Sequence, residues 1–254
     1  SNWLTGNTYA GFNTYSPSVN GLNEEVVNWL TVANLSSEAK SFEVKKRYWD
    51  ETGRLNTSSS QVSIPAYGRR DVEGGHIEPG ANRVGVIEVL PSDEEAPYLA
   101  VVTRYGVDRT VEYPERFTFG VALPASRGNT TAQYVGVMNV TGITNYVEVV
   151  NTASTAVDVG IEYYDDWGGL LGRSVLSLSG YGVEHVYGGG VLGDKEKGAL
   201  KVVPYTERAV VVQSVSYYFD SSTRAIEAVS VSPGREPFGR ELYGTYNLYL
   251  GMAN

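Results

Sequence analysis

The 254-residue chain contains no cysteine, which excludes a disulfide framework, thiolate metal ligands and a cysteine nucleophile. It suits an exported prokaryotic protein that relies on a large core, without fixing the compartment. Only two histidines occur, His76 and His185. A metal reading would join His185 to a carboxylate such as Glu184, but no ligand-spaced set surrounds either histidine. Gly-x-Ser-x-Gly is also missing, so a Ser-His-Asp hydrolase has no support. No apolar run approaches the roughly 18 residues that span a bilayer as a helix. No basic-then-apolar leader is present, and a start at Ser1 suits a mature form whose leader has been removed. No run of Lys or Arg offsets the net charge of −9, so phosphate backbones are repelled and a nucleic-acid partner is not expected.

What is present is strand chemistry. Hydrophobic residues make up 42% of the chain, enough for a packed core. Tyr, at 19 copies against 6 Phe and 4 Trp, suits half-buried strands that pack the ring and leave the hydroxyl wet. From Val26, short alternating runs are separated by turn residues. Phe42, Val44, Lys46 and Tyr48 oppose Glu43, Lys45 and Arg47. Asp50-Glu51-Thr52-Gly53 reads as a hairpin turn. Val62-Ser63-Ile64 stops at Pro65, and Leu99 to Tyr105 closes the series as a mostly buried strand.

The same order then recurs. Tyr146 to Asn151 answers Trp29 to Asn34. Tyr163-Tyr164-Asp165 with Gly168 answers Tyr48-Trp49-Asp50 with Gly53. Leu176-Ser177-Leu178 and Tyr181-Gly182 answer Val62-Ser63-Ile64 and Tyr67-Gly68. Val202-Val203-Pro204 answers Val89-Leu90-Pro91. The offset drifts from 117 at Asn34/Asn151 to 112 at Asp108/Asp220, which a few short loop indels explain. The match is ordered and spans both bodies, so it indicates an internal duplication. The expected fold class is all-β, with two duplicated antiparallel Ig-like β-sandwich domains in tandem at 1–120 and 121–254. Arg109 to Ala132 is expected to link them. The Asn-ended strands, Tyr-x-Asp-x-x-Gly hairpins and Tyr-Gly turns resemble the tandem immunoglobulin-like modules of microbial cell-surface and exported proteins. The resemblance is one of fold and implies no particular activity.

A shorter motif, Tyr-x-Gly-x-x-Asn, occurs at Tyr134-Val135-Gly136-Val137-Met138-Asn139 and at Tyr249-Leu250-Gly251-Met252-Ala253-Asn254, with a looser copy at Tyr9-Ala10-Gly11-Phe12-Asn13. Three such strands flank two bodies. If each body takes its copy on the C-terminal side, Tyr9 to Asn13 is spare. If on the N-terminal side, the last copy is spare. A lone strand seeks a sheet edge, and in a neighbouring molecule that would give an open head-to-tail chain. Alternatively, both flanking strands pair at home, or the last belongs to a further body of a longer array. Tyr9, Gly11, Phe12, Tyr249, Leu250, Gly251 and Met252 are thus the expected assembly-strand residues. Tyr134, Gly136 and Met138 are the expected inter-domain strand. Gly at the third position would let another backbone or ring approach closely.

Other candidates have plainer readings. Tyr187 to Gly193 looks like a phosphate cradle but lacks the following Lys-Ser/Thr, and reads as a loop. Asp165-Asp166 and Asp93-Glu94-Glu95 match no calcium-loop spacing and read as turns. Asn34, Asn56, Asn129 and Asn139 head Asn-x-Ser/Thr sequons and are the possible glycosylation sites. Trp49 and Trp167, at duplicated hairpins, are the possible ligand-stacking aromatics. No metal and no cofactor is expected. The leading expectation is a non-enzymatic extracellular or cell-surface protein that assembles with itself into a filament, sheath or layer. The alternative is an adhesin that binds cell-surface glycans or another partner.

Overall fold

A computed structural model describes residues 4–16, 24–77, 80–112, 117–194, 196–220, 222 and 226–236. The chain is all-β; among the described residues it has sixteen strands and no helix. The first eight strands are β1 (Thr8–Asn13), β2 (Glu25–Asn34), β3 (Lys40–Trp49), β4 (Leu55–Ile64), β5 (Arg69–Glu73), β6 (Val84–Pro91), β7 (Tyr98–Val107) and β8 (Phe117–Pro124). The next eight are β9 (Gln133–Asn139), β10 (Ile143–Asn151), β11 (Val157–Asp165), β12 (Leu170–Leu178), β13 (Val183–Tyr187), β14 (Glu196–Pro204), β15 (Val210–Phe219) and β16 (Ile226–Pro233).

These build four four-stranded antiparallel sheets. Sheet I has the order β1-β6-β3-β4 and sheet II the order β5-β2-β7-β8. Sheet III runs β13-β10-β15-β16 and sheet IV runs β12-β11-β14-β9. Period-2 alternation puts one face of each sheet inward. Ala10, Phe12, Val44, Val89, Leu30, Val32 and Val102 pack sheet I onto sheet II. Val135, Val137, Val159, Ile161, Val147 and Val212 pack sheet IV onto sheet III. Body one is therefore β1–β8 and body two β9–β16, with the same strand order in each.

The duplication extends to single hydrogen bonds. Asn34 and Asn151 end equivalent strands and serve as equivalent pins. The amide of Asn34 donates to the carbonyls of Glu38, Ile64 and Pro65, and that of Asn151 to those of Thr155 and Ser179. Asp50 and Asp165 close equivalent hairpins by accepting the N–H groups two and four residues on, with Gly53 and Gly168 at φ 77° and 82°. Tyr67 and Tyr181 hold φ 54° and 53°, a left-handed conformation that costs a non-glycine residue about 1 kcal/mol or more and is kept in both copies. β3 carries two more residues than β11 before its turn, which accounts for part of the drift in offset.

Two expectations are corrected here. The division expected at 120/121 falls inside β8, which is hydrogen-bonded to β7 from Val101↔Pro124 to Val107↔Phe117. A paired strand cannot serve as a linker, so the boundary moves to the stretch between Ser126 and Gln133. Tyr134, Gly136 and Met138 do not form an inter-domain strand. They belong to β9, the edge of sheet IV beside β14. β1 is likewise the edge of sheet I beside β6, in the same register: Tyr9 lies opposite Glu88 as Tyr134 lies opposite Lys201. Both described copies of the motif therefore stand on the N-terminal side of their bodies. Tyr249, Leu250, Gly251 and Met252 lie outside the described residues.

The bodies are joined by more than the linker. On β15, Val210 and Val212 face the second core, while Val215 belongs to the first. Tyr217, Val229 and Val231 pack beside it against the first core. Val86 meets Val150 and Val211 in a third cluster that spans both bodies. β8 lies alongside β16, and β1 against β10. The outer face of sheet III thus closes the side of body one between its edge strands β1 and β8.

Candidate functional site

The junction between the bodies holds the one ion pair, among the described residues, with both side chains essentially fully buried: Arg104 at 1% exposure and Glu148 at 0%. On β7, Arg104 has the same parity as the core residues Ala100 and Val102, so the strand aims it inward. Its Nη2 donates to Glu148 Oε2 at 2.9 Å, and its Nε donates to Asn28 Oδ1 at 3.4 Å. On β10, Glu148 sits between Val147 and Val149, which face the second core, so it points the other way, toward body one. The ladder puts it opposite His185 on β13 and Gln213 on β15. His185 Nε2 donates to its Oε2 at 2.9 Å, and Gln213 Nε2 donates to its Oε1 at 2.8 Å. Both carboxylate oxygens are therefore engaged. Tyr15 lies against the His185 ring, with centroids 5.9 Å apart.

Burial alone would push the Glu148 carboxyl up. The Arg104 guanidinium, then His185 and Gln213, outweigh it and hold the carboxyl well below the ordinary carboxylate range. A depressed carboxyl contributes stability that is complete above its unfolded value, about 4.3. That stability drains away as pH falls toward the folded value. The parent chain should therefore lose more stability on acidification than Glu148→Gln. Their difference should shrink by up to about 1.4 kcal/mol per pH unit below about pH 4. Urea unfolding midpoints from pH 7 to pH 2.5 measure this; parallel curves would contradict it.

A second patch flanks the pair. Arg47 is bonded to Glu88 and lies over the Tyr181 ring, 4.1 Å from its centroid, as a cation–π contact from body one to body two. Tyr9 also donates its hydroxyl to Glu88 at 3.0 Å. Burial first, then the Glu88 charge, push that phenol up to about 12. Trp49 Nε1 donates to the Gly180 carbonyl at 2.9 Å.

The expected site residues fall as follows. Tyr9, Gly11 and Phe12 are engaged in sheet I of their own chain, which corrects their assignment to an assembly strand. What comes close to Gly11 is neither the backbone nor the ring expected: a Cβ there would run into the Glu148 carboxylate and the Val150 side chain. Asn34 is 1% exposed and its amide nitrogen, where a glycan would attach, makes three hydrogen bonds, so it is no acceptor in the folded chain. The Asn56 amide donates to Asp50 and Arg54, and that of Asn139 to Leu192 and Gly193; Asn129 bridges Val210 through its backbone. Trp167 is 90% exposed at its hairpin tip. Trp49 touches Gly180, just past the far end of β12, so β12 puts the two indoles roughly 25–30 Å apart. His185 is spent on Glu148 rather than joined with Glu184. His76 donates from Nδ1 to the Asn28 carbonyl at 2.8 Å. In the Tyr187–Gly193 loop, turns place Leu192 in the second core.

Sequence reasoning missed Arg104 and Glu148. One signal was available: at repeat-equivalent positions the partner of Arg104 is Ser216 and that of Glu148 is Thr31. A charge present in one copy only, on a core-facing strand position, marks a contact that the two halves do not share.

No protein-family model matches the chain, and no curated protein matches it. Among solved structures it is similar to a β-glucuronidase from Bacteroides uniformis, at 11% identity and TM-score 0.17, over 91% of this chain and 26% of that one. It is also similar to a β-glucuronidase from Ruminococcus gnavus, at 13% identity and TM-score 0.17, over 91% of this chain and 36% of that one. The chain spans about a quarter to a third of the length of these enzymes. TM-scores this low carry no argument. Among the described residues no helix is long and apolar enough to cross a membrane.

Proposed function

We propose that the chain is a non-enzymatic structural subunit, built of Ig-like modules, that forms an extracellular filament, sheath or surface layer by head-to-tail repetition. The observation that carries this reading is the use made of the Tyr-x-Gly strands. Among the described residues each body has eight strands, with β1 and β9 in equivalent edge slots beside β6 and β14, and the sequence carries a third copy of the motif at Tyr249 to Asn254, outside the described residues. Ala10 with Phe12, and Val135 with Val137, enter the two cores. Leu250 and Met252 stand at the same two positions of the third copy. A strand with that pattern is stabilised in a slot that buries both side chains and pairs its backbone. A neighbouring molecule offers such a slot when its own β1 gives way. Because donor and slot are different surfaces, the contact propagates without closing. Two further features support a structural role. The buried polar residues at the junction are saturated by one another, and the shared core makes the pair of bodies a stiff unit. The alternative reading, an adhesin that uses aromatic hairpin tips, rests on Trp167, which is exposed at its tip, and has less from Trp49, whose Nε1 is bonded to Gly180.

Negative-stain electron microscopy of concentrated protein tests this. The intact chain is expected to give filaments or sheets, and the chain without 249–254 to give none while keeping its thermal unfolding midpoint. Equal polymerisation of both, or none by either, would contradict it.

A further inference from the structure

The structure assigns a docking surface for a second copy of this chain: the outer face of sheet II, which receives the outer face of sheet IV from the molecule before it. The inference rests on the head-to-tail reading above and names the surfaces that reading leaves open.

This contact already exists once, inside the chain. Body two presents the outer face of sheet III to body one. Tyr181 lies under Arg47, and Val211 is 4% exposed in the cluster with Val86. Body one has the same face, formed by sheet II, and among the described residues no strand covers it. There the equivalent of Tyr181 is Tyr67, 73% exposed with the same left-handed backbone, and the equivalent of Val211 is Leu99, 41% exposed. Tyr67, held at positive φ, and Leu99, on a central strand, are the exposed counterparts of two residues that the internal contact covers. The receiving face is repeated as well. Arg47, Glu88 and Tyr9 on sheet I correspond in register to Tyr164, Lys201 and Tyr134 on sheet IV.

The repeated contact differs from the internal one in a way that fits its use. The equivalents of the buried charges are Thr31 and Ser216, so the fully buried Arg–Glu pair is not repeated between molecules; the receiving face carries instead a partly exposed ion pair, Lys201 with Glu162 at 2.8 Å. Tyr67 would meet Tyr164 in place of the cation–π pair, and Asp71, the equivalent of His185, faces a surface that carries Lys201. The contact between molecules therefore lacks the fully buried ion pair that fixes the one inside the chain. The direction is consistent with strand donation: β9 follows body one directly and opens body two, and the third motif copy follows body two in the same order.

The absence of cysteine allows a clean test. Tyr67→Cys and Tyr164→Cys are placed in one chain, treated with a short bismaleimide and run on a denaturing gel. Each single variant is the control for chance coupling, and the pair Arg47→Cys and Tyr181→Cys is the control for coupling within a chain. The first pair is expected to give a ladder of dimers, trimers and higher species, and the second a monomer of altered mobility. In parallel, Leu99→Glu, an exposed position, should weaken association by at least about tenfold with no fall in unfolding midpoint. Two outcomes overturn the assignment separately. If sedimentation shows assembly while the Tyr67/Tyr164 pair couples no more than its single variants and Leu99→Glu assembles normally, this surface is wrong and the head-to-tail reading stands. If the parent chain never associates, both fall.

Discussion

Arg104→Ala is expected to lower the unfolding free energy by about 3–5 kcal/mol, because it leaves the Glu148 carboxylate buried against Gln213 and His185 without its guanidinium partner. Urea unfolding measures it. The same size of loss is expected from Glu148→Ala, which strands the guanidinium inside body one. The double variant Arg104→Met, Glu148→Leu should lose less than the sum of the single losses, since neither charge is then left alone. The cycle separates a junction that is merely tolerated from one that couples the two bodies. If the coupling is real, both single variants should still unfold in one transition. Val215 of body two sits in the core of body one, so neither half can expose its core without disturbing the other. A loss below about 1 kcal/mol would mean that water reaches the pair.

Phe12→Ala should cost about 3–5 kcal/mol, the range for truncating a buried phenylalanine. The ring is fully buried, and a Cβ added at Gly75 or Gly85 would come within 2.7 Å of it, so backbone closes round it from two sides and cannot easily collapse into the space left. The variant has a second consequence specific to this fold. Phe12 is the main apolar anchor of β1, and weakening it loosens the strand whose slot the third motif copy would take. Phe12→Ala should therefore shift assembly to lower protein concentration even as each molecule becomes less stable. Val137→Ala, at the equivalent position of β9, should lower stability without that gain. Loss of both stability and assembly in Phe12→Ala would count against strand exchange at this slot.

The fold was legible to a large extent because the chain states it twice. Asn34 and Asn151, the two Asp-to-Gly hairpins and the two Tyr-Gly turns each occupy equivalent places in both bodies, so the duplication read from their order holds down to the hydrogen bond. The division between the bodies was misplaced because Phe117 to Pro124 is flanked by Pro114 and Pro124 and looks like linker. Its place in sheet II is fixed by long-range pairing with β7, which local composition does not encode. The junction was invisible for the same kind of reason. Arg104 and Glu148 lie 44 residues apart in different bodies. Nothing near either in sequence announces the other. Asn34 misled in the opposite sense: its sequon is a local pattern, whereas its burial follows from the pinning role that the repeat gives it.

The central claim is that one molecule of this chain offers the next the same contact that its own halves make with each other. Sedimentation velocity over a concentration series tests it most directly. The account predicts a weight-average mass that climbs continuously above 27.6 kDa as concentration rises, with no plateau at a dimer. A single species of 27.6 kDa at every concentration, or a dimer that saturates, would contradict it.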